Sequence, residues 1–239
     1  GLFPDTHFMA RGMSADVYID PVTYKATVEN DNMRRIFTLA KQIVETPGFI
    51  IDGKYRHRRN EWLKDRYVAM VVATGNQMIG PLSELHSKGT PMNWDLAPFP
   101  NFEGYLGQSP SDGAQVVLMT NQSKHKDAAF QVMMTMVSEE VQALVSQSGR
   151  LPTIDNGAVE DQYASGLAGM EGKFFDAIFM TESAPSQPMT PWNSTIGKNV
   201  LEEYFTKMIE ENLDVNTALM LAAEEINKRV ELELVGKSE

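Results

Sequence analysis

The side chains that most often carry out chemistry are sparse here, and none stands in a catalytic array. The sequence contains no cysteine, which excludes disulfides, thiolate metal sites and cysteine nucleophiles. The four histidines, His7, His57, His86 and His125, show none of the spacings that hold a metal, so neither metal nor cofactor is expected. Glycoside hydrolysis would draw on the acid pairs Glu202-Glu203, Glu210-Glu211 and Glu224-Glu225, because it needs two carboxylates facing across one bond. Sequential residues on a helix point in different directions, so these pairs read as the solvated backs of amphipathic helices. No phosphate loop, nucleophile elbow or zinc helix occurs. The expectation is a chain that is not an enzyme.

A second set of residues fits recognition of a polyhydroxylated molecule. Such sites set aromatic faces against the C–H faces of the ligand and satisfy its hydroxyls with amides, carboxylates and arginine. Trp192, in the loop Pro188-Met189-Thr190-Pro191-Trp192-Asn193-Ser194, is the aromatic candidate; ordinary packing is the other reading. Gly75, Asn76 and Gln77 follow an expected buried strand at its C-terminal end, where open α/β sheets keep their ligand crevice; a plain turn explains them too. Asp112, in the loop Gln108-Ser109-Pro110-Ser111-Asp112-Gly113, could accept hydroxyl hydrogen bonds or sit in a solvated turn. Phe8, with Phe3 and His7, could line the same cleft or belong to a frayed start.

The elements that would position these residues follow from composition and periodicity. At 239 residues and 42% hydrophobic content the chain can bury a substantial core. Its net charge of −11 argues against a nucleic-acid surface, and the basic run Lys54 to Arg59 reads as a solvated loop. No apolar run reaches the roughly 18 to 20 residues that cross a bilayer. Val17 to Val28, around Asp20-Pro21, predicts a hairpin. Met33, Ile36, Phe37, Ala40, Ile43 and Val44 predict a helix over about 32–45, stopped by Pro47-Gly48. Tyr67 to Val72 predicts a buried central strand and Trp94 to Ala97 another, with a short helix between them around Pro81 to His86.

Farther along, Gln115 to Met119 predicts a short strand. It leads into a helix from near Ser123 with one buried stripe: Ala128, Ala129, Val132, Met133, Met136 and Val137. Ser138-Glu139-Glu140 caps a second helix that ends at Gly149. In the last third, Val200, Leu201, Tyr204, Phe205, Met208 and Ile209 mark one long helix. Asp214 caps another carrying Ala218, Leu219, Ala222, Ala223, Ile226 and Val230. Strands alternating with helices predict a mixed α/β architecture.

The succession Trp94-Asp95-Leu96-Ala97-Pro98-Phe99-Pro100, Ser123-Lys124-His125-Lys126-Asp127-Ala128-Ala129-Phe130, Ser138-Glu139-Glu140-Val141-Gln142 and Gly149-Arg150-Leu151-Pro152-Thr153 resembles the middle of the extracellular solute-binding proteins, family 1, that serve sugar-type ABC importers. Asp20 to Asn30 resembles that family's hairpin before a helix. Val68 to Gly75 resembles its strand leading to a glycine loop on the ligand side, where similar proteins often place an aromatic and this chain has Met78. The resemblance implies a class II periplasmic-binding-protein-like fold, two α/β lobes with a solute cleft between them, and places a ligand-stacking aromatic at Trp192. It implies that 1–103 belong to the C-terminal lobe, 104–153 to the crossover and part of the N-terminal lobe, and 154–239 to the returning helices of the C-terminal lobe. It further implies a mono- or oligosaccharide ligand, membrane permease subunits as partners, and an exported, periplasmic or membrane-anchored lipoprotein. A glycan-active enzyme fragment and a non-binding interaction module are the alternatives.

The family carries a long portion ahead of anything seen here, and Gly1-Leu2-Phe3 reads like the inside of a protein, so a fragment or processed product is expected. One strand and two helices cannot form the opposite wall of a cleft alone. The stripe of Ala129, Val132, Met133 and Met136 is therefore expected to repack, to associate with another chain, or to have been retained from a longer precursor. Burying each such side chain is worth about 1.5 to 3 kcal/mol, which is comparable in sum with the net stability of a domain, about 5 to 15 kcal/mol.

Overall fold

A computed structural model describes residues 6–14, 17–51, 53–55, 61–110, 116–185 and 188–236. Among them the chain is mostly helical. The helices are α1 (Thr6–Met13), α2 (Asp31–Glu45), α3 (Gly75–Ser87), α4 (Lys126–Met136), α5 (Glu139–Gln147), α6 (Gly157–Glu160), α7 (Asp176–Phe179), α8 (Lys198–Glu210) and α9 (Val215–Gly236). Short π-helical turns occupy Glu61–Asp65 and Asn193–Gly197. Two strands of two residues each, β1 (Gln108–Ser109) and β2 (Glu182–Ser183), pair in parallel.

The first apolar core is built where helical periodicity is strongest. The Asn30 side chain caps α2 by accepting from the Met33 amide at 2.8 Å, and Met33, Ile36, Phe37, Ala40 and Val44 are buried. The helix stops at Pro47-Gly48, with Gly48 at φ 81°. The expected stripe of α9, Ala218, Leu219, Ala222, Ala223, Ile226 and Val230, is wholly buried, and the Asp214 carboxylate caps the helix by accepting from the Thr217 amide at 3.1 Å. Val200, Leu201, Phe205 and Met208 of α8 join this core, with Phe37 and Phe205 edge to face at 5.8 Å. Across α8 and α9, Arg229 bonds Glu225 at 2.6 Å and Glu203 at 2.9 Å, while Lys207 holds the other Glu203 oxygen at 2.8 Å.

The expected hairpin is reduced to a single antiparallel bridge, Ile19 to Ala26. Its turn is tightened by Asp20, whose Oδ1 accepts from the Val22 and Thr23 amides. Those bonds hold the Asp20 carboxyl below the ordinary carboxylate range.

A second core gathers Leu63, Met78, Ile79, Leu82, Trp94, Tyr163, Ala164 and Met170, drawing on two stretches that are distant in sequence. Tyr163 is its pivot. The phenol donates to the Gly149 carbonyl at 2.8 Å, and its ring meets Phe175 and Phe179 edge-on at 5.3 and 5.6 Å. Burial pushes the phenol up to about 12. The Lys173 ammonium donates to the Trp94 carbonyl at 2.6 Å, and the Asp95 carboxylate accepts from the Phe174 amide at 2.8 Å.

The α/β expectation is not met by the strands. Tyr67 to Val72 forms no strand; Val68 is buried while Tyr67 and Met70 are exposed, so it is no central strand. Trp94 to Ala97 likewise forms no strand, with Trp94 packed into the second core. A β-strand exists only through a neighbour, and among the described residues none lies beside either segment.

The expected strand over 115–119 and the buried stripe of the following helix also fail to form. Gln115 lies outside the described residues; residues 116–119 form no strand, and Val116 and Leu118 are 69% and 81% exposed. Helix α4 forms where periodicity places a helix but buries no residue; Phe130 and Val132 are 54% and 61% exposed. The sequence supplies the stripe, and the described structure covers it only in part, at Ala129 and Met133. Helix α5 does form as expected, with the Ser138 hydroxyl accepting from the Val141 amide at 3.4 Å, and it ends at Gln147, two residues before Gly149 at φ 77°.

Candidate functional site

The residues expected to recognise a ligand are distributed between the two cores. Trp192 is buried in the first core, edge-on to Tyr24 at 5.6 Å. Its neighbour Asn193 is pinned beneath: Oδ1 accepts from the Tyr18 amide at 2.9 Å, and Nδ2 donates to the Met189 sulfur at 3.4 Å. The ring therefore packs within the protein rather than standing as a free stacking platform. Gly75, Asn76 and Gln77 are the first turn of α3 rather than a loop before it. A Cβ at Gly75 would meet the Tyr163 phenol oxygen at 3.0 Å, which places this turn on the second core; the Gln77 side chain is exposed. Asp112 lies outside the described residues, as do the side chains of Asn76 and Phe8, although the Phe8 backbone is part of α1.

A pocket of about 380 Å³ lies where β1 and β2 meet. Its size suits a small solute. Leu106, Gly107 and Gln108 line one side, and Met180, Glu182, Ser183 and Pro185 the other. The strand pair that forms it is joined by the Glu182 amide donating to the Gly107 carbonyl at 2.8 Å and the Ala184 amide to the Ser109 carbonyl at 2.9 Å. The Ser109 hydroxyl adds a bond to the Glu182 carbonyl at 3.3 Å.

Helix α1 buttresses this pair. A Cβ at Gly12 would fall 2.5 Å from Phe99 and 2.7 Å from Pro110, so the absence of a side chain lets the helix approach. The Asn101 amide donates to the Gly12 carbonyl at 2.7 Å and to the Gln108 carbonyl at 2.8 Å, tying helix to strand.

The lining joins apolar surface from Leu106, Met180 and Pro185 to acceptors from Gln108, Glu182 and Ser183. Gln108 Oε1 is buried without a hydrogen-bond partner. A buried amide oxygen left unpaired costs about 1 to 3 kcal/mol; because this oxygen is closed to solvent, a bound donor reaches it only once the Gln108 side chain turns toward the pocket. Sequence reasoning singled out the loop beginning at Gln108 but looked to Asp112 within it. The β2 side of the pocket, Glu182 to Pro185, carried no signal beyond a break between helices, because the two segments become a site only through their pairing.

Glu203 and Glu225 are taken up by Arg229, and Glu203 also by Lys207. The bonds from Lys207 and Arg229 hold the Glu203 carboxyl below its ordinary value. Among the described residues no cluster of His, Asp and Glu is disposed to hold a metal ion, and no helix is long and apolar enough to cross a membrane. No family model matches the chain, and no characterised protein matches it.

Proposed function

We propose that the chain is the solute-binding component of an ABC importer of the family 1 type. It would take a small carbohydrate at the junction of β1 and β2 and present it, chemically unchanged, to membrane permease subunits. On this reading the protein is exported, periplasmic or anchored as a lipoprotein. On the same reading its fold is the periplasmic-binding-protein-like α/β arrangement.

The observation that carries the reading is the parallel pairing of Gln108–Ser109 with Glu182–Ser183 beside a pocket with an unpartnered acceptor. The chain leaves through β1, forms α4 to α7, and returns through β2. Two such passages side by side, with a ligand-sized pocket on them, are what a hinge-bending clamp requires. The resemblance of the 94–153 run to this family supports the same assignment. In the pocket, the Glu182 carboxylate, and Gln108 Oε1 once its side chain turns toward the ligand, would accept from sugar hydroxyls, while Leu106, Met180 and Pro185 cover C–H surface. Trp192 takes no part in this version of the site.

Thermal unfolding across a panel of mono- and oligosaccharides, with recovery and analysis of the sugar, tests the reading. A ligand at a hundred times its Kd adds about 2.7 kcal/mol, which a chain of this size shows as a rise of several degrees in Tm. The sugar should come back intact. Cleaved products would replace the reading with a glycan-active enzyme, and a Tm unmoved by every sugar would leave the non-binding interaction module.

A further inference from the structure

Helix α4 is apolar on more than one side. Phe130, Met134 and Val137 recur at i, i+4 and i+7, and Val132 and Met136 form a second row; all five are exposed. A helix with this pattern belongs inside a larger core. Residues 116–119 ahead of it expose Val116, Val117, Leu118 and Met119, and their backbone has no strand partner among the described residues. An exposed apolar segment with unpaired backbone is open to pairing with another strand.

The size of the deficit is legible from surface area. The chain exposes 14407 Å², whereas a folded monomer of its 26.7 kDa exposes about 10,700 Å². The excess, about 3,700 Å² over the whole chain, is larger than the about 1,000 to 2,500 Å² that one side of an obligate interface buries, so it leaves room for such an interface without locating it. Charge favours this face over others. The whole chain carries −11, while residues 116–137 hold only Lys124, Lys126 and Asp127 among Asp, Glu, Lys and Arg. Two copies can meet here without bringing acidic surfaces together.

We propose that residues 116–119 and α4 form a self-association surface, covered in solution by the same surface of a second copy. The contact is isologous: the 116–119 edges pair antiparallel across a two-fold axis, and the α4 helices pack beside them. It does not depend on the solute-binding reading, and it stands whether or not the pocket takes a sugar.

Sedimentation and light scattering on the full chain test it, with a mass twice 26.7 kDa expected. The double variant Phe130→Glu, Val132→Glu should return the mass to that of one chain while leaving the circular dichroism unchanged, since both side chains are exposed in the single chain. Because the sequence lacks cysteine, Leu118→Cys should yield a disulfide-linked dimer on oxidation, whereas Glu231→Cys, on the exposed side of α9, should not. This second readout decides the matter if the double variant does not fold. A single-chain mass throughout the micromolar range would overturn the proposal, as would a dimer unaffected by the double variant or crosslinking equal at both cysteines. The face would then belong to another occupant.

Discussion

The amide of Tyr18 donates to Oδ1 of Asn193 across 2.9 Å, joining two buried groups 175 residues apart in sequence. The bond fastens the turn-rich start of the first core to the π-helical turn that leads into α8. Close packing repeats the message, because a Cβ at Gly197 would fall 2.8 Å from the Cβ of Tyr18. Asn193→Ala should leave the Tyr18 amide buried and unpaired, at a cost of about 1 to 3 kcal/mol. Urea unfolding should show a lower midpoint at unchanged slope; an unchanged midpoint would mean that this tie contributes nothing.

Tyr163 should impose an alkaline limit on stability. Its phenol stands at about 12 in the folded chain against 10.0 ordinarily, because burial disfavours the phenolate. The folded value is raised, so the stability is fully present below pH 10 and is lost as pH climbs toward 12. The loss should total roughly 2 to 3 kcal/mol. Phenolate absorbance should show one tyrosine titrating late, and Tyr163→Phe should flatten the alkaline fall in Tm while lowering stability near neutrality through loss of the bond to Gly149.

The ion cluster of Glu203, Lys207, Glu225 and Arg229 should matter little and visibly depend on salt. Its members are between about a fifth and two-fifths exposed, where such pairs are worth about 0.2 to 1 kcal/mol. Glu203→Gln should destabilise by no more than that in dilute buffer and by less in high salt. Glu203 titrates below its ordinary 4.5, so its contribution is present above that value and fades as pH falls through the lowered one.

The helices of the first core could be read directly from the sequence, and the sheet could not. In α2 and α9 each apolar residue reports on a neighbour three or four positions away, so the pattern is complete within one segment. For Tyr67 to Val72 and Val116 to Met119, the apolar run states only that the segment favours burial in a sheet. Which strand would lie beside it is a property of another part of the chain. The same distinction applies to the site. Gly75 to Gln77 and Trp192 stand out in the sequence only for what they follow and precede locally, and the structure absorbs them into a helix turn and a core. Gln108 and Glu182 gain meaning only when β1 and β2 pair, a relation that no local pattern encodes.

Gly149 should be intolerant of any side chain. It sits at φ 77°, and a Cβ would lie 2.6 Å from the Ile79 side chain, while its carbonyl accepts from Tyr163. Gly149→Ala combines left-handed strain of about 1 kcal/mol with overpacking of about 1 to 3 kcal/mol. The variant should unfold several degrees earlier by calorimetry. A Tm equal to that of the parent would show that the second core is looser than its distances imply.

The most direct measurement is isothermal calorimetry of the chain and of Gln108→Leu with the sugar that gives the largest thermal shift. The account predicts saturable binding at one sugar per chain, with the variant binding about tenfold more weakly through loss of a buried acceptor worth roughly 1.4 kcal/mol. Equal affinity in the two proteins, or no saturable heat with any sugar, would contradict the assignment of the β1–β2 pocket as a solute site.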